Sequence, residues 1–172
     1  MLGLVIGRFQ PIHLGHQSII DQAYQKADQV LILISSSQES RTDKNPLTFE
    51  ERKALVSKLY PNAIILPLKD IGVGNNCLWG DYVYQTILDY GYHPDIFVTG
   101  EEERRLNWFQ NHPMDTITVS RSTIPISSTL IRENISNKEV LKQYIDSRIL
   151  EDIFSLKGVF LESQKEKNSK SI

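Results

Sequence analysis

The run Gly7-Arg8-Phe9-Gln10-Pro11-Ile12-His13-Leu14-Gly15, closed by His16, follows an apolar opening from Met1 to Ile6 and leads into an amphipathic stretch. Strand, turn and helix entrance therefore meet within a few residues. Two imidazoles spaced His-x-Gly-His at such an entrance can be aimed at one anion, while the first free backbone N–H groups and the positive helix end face the same point. Gly15, having no Cβ, lets backbone and ligand approach closely, and Arg8 adds a cation ahead of the pair. A lone His at a helix start is ordinarily a polar surface residue. The pair, with Gly between and Arg before, points instead to phosphate chemistry.

These residues resemble the opening motif of the nucleotidylyltransferase superfamily, whose Rossmann-like members carry His-x-Gly-His after the first strand. Those enzymes transfer a nucleoside monophosphate from a nucleoside triphosphate. The opening does not choose the substrate; three later stretches narrow it. Ser36-Ser37-Gln38, Ser40, Lys44, Asn45-Pro46-Leu47-Thr48 and Glu51-Arg52 resemble the second-strand loop and following helix of nicotinamide mononucleotide (NMN) adenylyltransferases, the archaeal type and its bacterial relatives, some fused to a Nudix domain. Leu47 stands where Phe is usual and Lys44 where Arg is frequent, so charge is kept but the planar fork is lost. Arg52 reads equally well as part of that pattern or as a solvated helix-face cation. Lys69-Asp70-Ile71 with Asn76-Cys77-Leu78-Trp79 is similar to the same family's Asp-Ile and Asn-x-Leu-Trp pattern. There the Trp stacks on the nicotinamide ring, and a cationic pyridinium does gain from an aromatic face; the alternative for Trp79 is core packing. Ile126-Ser127-Ser128-Thr129-Leu130-Ile131-Arg132 looks like the family's triphosphate grip. Its hydroxyls and free N–H groups, with a guanidinium one turn on, would form a second anion cradle, although a capped helix with a surface Arg leaves the same trace.

The resemblance spans about Gly3 to Ile135 and implies a division of labour. His13, His16, Arg8, Lys44 and Arg132 would carry catalysis, while Gly7, Phe9, Gln10, Gly15, Ser127, Ser128, Thr129, Asp70, Ile71, Asn76 and Trp79 would bind the nucleotides. The implied reaction joins NMN, or nicotinate mononucleotide, to ATP to give NAD (or its nicotinate analogue) and pyrophosphate. Mg²⁺ is expected with ATP, and no carboxylate cage dedicated to it is evident, which fits an ion carried largely by the nucleotide. Arg121 could add charge, and Glu101–Arg105 reads most simply as a solvated charged run. The alternatives are another nucleotidylyltransferase, acting on phosphopantetheine or a phosphoalcohol, and a non-catalytic nucleotide sensor. A dinucleotide oxidoreductase fits least, since the first turn lacks Gly-x-Gly-x-x-Gly spacing.

A chain of 172 residues suits one domain with one sizeable core. Its composition, 40% hydrophobic and 23% charged, is that of a soluble globular protein, and no apolar run is long enough to span a bilayer. The opening lacks the basic region of a signal sequence, and a lone Cys77 fits a reducing cytosol, so a cytoplasmic enzyme is expected. A net charge of -2 argues against a generic nucleic-acid binder. Any anion site must then be built from locally gathered cations. By family resemblance the working form is a homo-oligomer.

Strand-like runs at 1–6, 29–34, 63–68, 95–99 and 116–119 alternate with helical patterns, the mark of an α/β fold with a Rossmann-like, doubly wound parallel sheet. Helices are expected over about 16–27, from Thr48 with a Thr48/Glu51 capping box to near Tyr60, over 78–90, and from Ser127 or Ser128. A last helical segment covers 137–154. The domain is drawn over 1–161, with 162–172 as a polar, flexible tail. The Ser35–Leu47 connection leaves the carboxyl end of the second strand, where open α/β sheets bind ligands.

Overall fold

Five strands lie parallel in a single sheet of order β3-β2-β1-β4-β5: β1 Leu2–Gly7, β2 Gln29–Ile34, β3 Ile64–Pro67, β4 Ile96–Gly100 and β5 Asp115–Val119. The structure is a computed structural model and describes residues 1–72, 74–120 and 126–170. Strand order reverses between β1 and β4, so their carboxyl ends diverge and open the crevice in which such sheets hold ligands.

The strands other than the edge strand β5 are apolar at nearly every position because both faces are covered. Val30, Ile32 and Ile34 with Ile96 and Val98 face one core, which includes Ile20 and Ala23 of α1 (Leu14–Lys26) and Leu55 and Val56 of α2 (Phe49–Leu59). Leu4, Ile6, Leu31, Leu33 and Phe97 face the other, with Val83 and Ile87 of α3 (Asn76–Asp89), Trp108 and Phe109. The period-two alternation of the pleat divides β1, β2, β3 and β4 between the two cores, while β5 adds Ile117 and Val119 to the first alone.

The helices start where side chains can satisfy their free N–H groups. Thr48 accepts from Glu51 N while Glu51 accepts from Thr48 N, forming the expected capping box. Asn75 caps α3 by accepting from Cys77 N and Leu78 N, which starts that helix earlier than periodicity alone indicates. Ser127 caps α4 (Ser128–Glu133) through Leu130 N. The expected single helical segment over 137–154 is instead broken into α5 (Lys138–Tyr144) and α6 (Leu150–Ser155). The break falls where Asp146 turns to accept from the backbone and guanidinium of Arg148 and from Gln17 of α1. Regular structure also runs past residue 161. Helix α7 covers Lys157–Lys170, with Phe160 and Ser163 buried and Gln164 Nε2 donating to Arg132 O at 2.9 Å. The polarity of this stretch hid a helix with a narrow buried edge.

Candidate active site

The two histidines of the opening motif build their own helix entrance. His13 is the N-cap of α1, and its Nδ1 accepts from Gly15 N at 3.0 Å, while His16 Nδ1 accepts from His13 N at 3.2 Å. The rings stack with centroids 3.7 Å apart. A nitrogen that accepts an amide proton carries none itself, so each neutral ring keeps its proton on Nε2, the outer nitrogen. Burial pushes the His13 pKa down to about 4. Burial pushes His16 well below its ordinary value too, helped by the charges of His13 and Arg105. Near neutral pH the pair is thus two uncharged N–H donors side by side. Gly15 serves this geometry: a Cβ there would sit 2.9 Å from His13 Cε1, so the glycine makes room for the capping ring.

The turn that presents this entrance is over-determined. Phe9 adopts a positive φ of 51°, uncommon for an aromatic residue, and is held by full burial, with its ring edge-on to His16 at 4.8 Å. Gly7 lets that ring lie over the end of β1, since a Cβ there would meet it at 3.0 Å. The Gln10–Pro11 peptide is cis. Gln10 is buried and clasps the backbone of Leu47 in both directions, donating to its O at 3.0 Å and accepting from its N at 2.9 Å. Its side chain therefore holds a loop, and any nucleotide contact there falls to its backbone.

Guanidinium groups gather around the same turn. Arg8 is exposed, and its charge depresses the pKa of Arg52, Arg105 and Arg132, in each case after burial as the larger cause or among the lesser ones. Arg132 is 9% exposed and donates to Gln10 O at 3.0 Å and to Thr129 Oγ1 at 3.3 Å, while Ser128 donates to Pro11 O at 3.1 Å. The Ser127–Arg132 stretch is thereby fastened to the motif turn. Arg52, read from sequence as a motif member or a solvated cation, is completely buried and donates to the carbonyls of Arg8, Ser35, Ser36 and Thr48. It is a strut between the exits of β1 and β2, because a guanidinium can fork among carbonyls that no other side chain could satisfy together. Lys44 stands exposed on the loop ahead of α2, and Arg121 lies outside the described residues.

A second group collects after β3. Gln38 clasps the backbone of Asp70, donating to its O at 2.7 Å and accepting from its N at 3.1 Å, and Asp70 Oδ1 caps Gly72 N. Ile71 and Asn76 are exposed. Trp79 is half-buried, its ring 5.3 Å from Tyr82 and 6.2 Å from Trp108, so it packs on the core edge without being enclosed by it. Gly80 sets that contact: a Cβ there would overlap the Trp108 carbonyl, and only glycine lets α3 lie so close.

Sequence reading missed Trp108 and Arg105. Arg105 is not a solvated cation: burial lowers its pKa, Nη1 donates to Ile6 O at 2.8 Å, and its guanidinium lies 5.0 Å from the Trp108 ring centre. The available signal was its place directly after β4, at the reversal of strand order.

A parallel sheet of this order, with a paired-imidazole helix entrance and cations gathered at the reversal, defines a nucleotide-binding α/β fold built to hold phosphates. The family model described as cytidylyltransferase-like matches residues 4–134. The nicotinamide-nucleotide adenylyltransferase of Thermococcus sibiricus is 30% identical over 100% of this chain and 95% of its own length. That of Thermococcus onnurineus is 30% identical over 91% of this chain and 84% of its own. Among solved structures, the bifunctional NMN adenylyltransferase/ADP ribose pyrophosphatase of Francisella tularensis, complexed with AMP and a manganese ion, superposes with a TM-score of 0.76 at 25% identity. The match covers 98% of this chain and 53% of that one, so the chain spans about half of the bifunctional protein. The chain belongs to the cytidylyltransferase-like family and, within it, to the nicotinamide-nucleotide adenylyltransferases.

Proposed function

We propose that this chain joins NMN and ATP to give NAD and pyrophosphate. The 5′-phosphate oxygen of NMN attacks the α-phosphorus of ATP, the bond from that phosphorus to the β-phosphate oxygen breaks, and pyrophosphate leaves in line. No protein nucleophile takes part, so catalysis consists of positioning and charge stabilisation.

The observation that carries this reading is the stacked His13–His16 pair with both Nδ1 atoms occupied by backbone N–H groups. Two fixed Nε2–H donors can take α- and β-phosphate oxygens as charge moves onto the leaving group. Arg8 and Arg132 take the outer phosphates, Lys44 the NMN phosphate, and the α4 entrance at Ser127–Thr129 lies beside them. Gly7, Phe9 and the Gln10 backbone shape the adenosine side. Asp70, Ile71, Asn76 and Trp79 form the NMN side, with the half-buried Trp79 ring available to the pyridinium. Mg²⁺ belongs to the substrate as Mg·ATP, because this cradle is made of N–H and guanidinium donors, which hold phosphate oxygens and not a cation. The reaction is placed in the cytoplasm and its catalyst is taken as a homo-oligomer, which sedimentation tests.

The deciding experiment is pyrophosphate release from Mg·ATP with NMN, nicotinate mononucleotide, phosphopantetheine and glycerol phosphate in parallel. NMN should give NAD and pyrophosphate. Release with phosphopantetheine or glycerol phosphate and with neither pyridine mononucleotide would refute the assignment.

A further inference from the structure

Arg105 occupies a position that the motifs do not account for. The residues before it, Glu102 and Arg104, form an exposed ion pair at 3.0 Å. Arg105 turns the other way, from the 3-10 turn Glu103–Arg105 back onto the sheet. Its Nη1 donates to Ile6 O, one residue short of the end of β1, and its guanidinium lies over Trp108. The Glu102 carboxylate is 3.4 Å from Nε, but Nε is buried and makes no hydrogen bond with the described residues. A second orphaned group lies on the neighbouring strand. The hydroxyl of Thr99, 1% exposed, likewise makes no hydrogen bond with the described residues. Extending the β1–β4 pairing of Gly3 with Ile96 and Leu4 with Phe97 sets Thr99 opposite Ile6. Thus a tethered cation, whose Nε has only the Glu102 carboxylate at 3.4 Å beside it, and a buried hydroxyl without a hydrogen bond among the described residues are both placed at the divergence of β1 and β4. Buried polar groups left unpaired are rare enough to require an explanation, a bound ligand being one.

We propose that Arg105 is a further anion-binding residue of the transfer site, its guanidinium taking an oxygen of a substrate phosphate at the β1–β4 divergence, across from the His13–His16 pair. This rests on the adenylyl-transfer reading for the identity of the phosphate, not for its presence. The tethers give the role its physical sense. Ile6 O and the Trp108 ring fix the guanidinium before the anion arrives, so little side-chain freedom is lost on binding. Its charge also reaches His16, one of the causes that keep that imidazole neutral, so the same cation orders the donor state of the pair.

The test compares wild type with Arg105→Gln, Arg105→Lys and the neighbouring Arg104→Gln. Inorganic pyrophosphate binding is measured by calorimetry and turnover with NMN and Mg·ATP in parallel, thermal unfolding being recorded for each protein. Arg105→Gln should weaken pyrophosphate binding about tenfold or more and lower kcat at least as much. Arg105→Lys should recover part of both, and Arg104→Gln should match wild type. Unchanged pyrophosphate affinity and unchanged kcat in folded Arg105→Gln would overturn the proposal. So would Gln and Lys variants that lose melting temperature equally while their folded fractions bind and turn over normally, the mark of a purely structural tether. Wild type that binds pyrophosphate through Arg105 yet makes no dinucleotide would leave this anion site standing and remove the adenylyl-transfer reading.

Discussion

His16 is the side chain whose removal should separate turnover from binding. Its Nε2–H is fixed by the amide of His13, so His16→Ala removes a preorganised donor without touching the NMN side. Turnover should fall ~10²-fold or more with NMN affinity almost unchanged, read from steady-state kinetics beside NMN titration. The neutral state of the pair also gives stability a pH signature. The folded His13 pKa is about 4 against an ordinary 6.5. Above pH 6.5 both folded and unfolded chains hold it neutral, and its contribution is complete. Below 6.5 the unfolded chain takes up a proton that the folded one refuses, so stability falls until pH passes about 4. The loss from this residue should approach about 3 kcal/mol. Urea unfolding at pH 7 and pH 4.5 should show the decline in wild type, and a shallower one in His13→Asn, which retains a capping acceptor without the titration. At this scale the helix entrance that brings the two histidines together was legible from residue types and spacing. What could not be read was that Gly15 serves the His13 ring and that the Gln10 side chain is spent on Leu47, since both depend on where a ring or an amide turns in three dimensions.

The elements were legible wherever one local signal controlled them. β2 appears over the expected residues, and α2 begins at the Thr48/Glu51 box. Failures came where a distant contact decided the outcome. Asp146 breaks the last helical segment by bonding to Arg148 and to Gln17 of α1, and Arg52 is buried because three carbonyls from two strand exits and that of Thr48, the cap of its own helix, converge on it. Two substitutions test such contacts. Arg52→Leu keeps bulk but strips the Arg8 and Ser35 carbonyls of their side-chain donor, while Thr48 O and Ser36 O keep the backbone N–H groups of Arg52 and Glu39; it should cost about 2 kcal/mol or more, about 1 kcal/mol or more for each orphaned group. Gly80→Ala drives a methyl into the Trp108 backbone, which cannot yield as a flexible side chain would. A loss of about 3 kcal/mol or more is expected, whereas Gly74→Ala, with open space around it, should leave the melting temperature within about a degree or two of wild type. Thermal and urea unfolding measure all three.

For the molecule as a whole, the two cores on opposite faces of the sheet border different parts of the candidate site. Trp79 borders the core that holds Trp108 and Phe97, whereas the histidine turn belongs with the opposite one. Trp79→Ala should therefore raise the NMN Michaelis constant, leave ATP affinity nearly unchanged and cost less stability than Trp108→Ala, whose enclosed ring is worth about 3–5 kcal/mol. Equal stability losses with unaltered NMN affinity would make Trp79 a packing residue only. The far end of the chain reaches Arg132, to which the proposed function gives an outer phosphate of ATP, since Gln164 of α7 donates to Arg132 O. Ending the chain at Leu161 should weaken ATP binding severalfold while sparing NMN, as parallel titrations would show. That link was not visible in a polar, aperiodic stretch, because a single buried edge carries it.

Gln10 and Gln38 each grip main chain, at Leu47 and at Asp70, with one donor and one acceptor. A grip of that kind does not depend on which side chains the held loop carries. With Arg41 and Asn45, whose side chains also fasten the first loop, and Lys44 kept, the other residues between Glu39 and Pro46, and those following Asp70, can therefore be exchanged while the loops stay anchored in place. Libraries that vary these segments and keep both glutamines should retain folded protein while changing which phosphorylated acceptor is used. The same libraries built on Gln10→Leu or Gln38→Leu should yield mostly loosened, unselective variants.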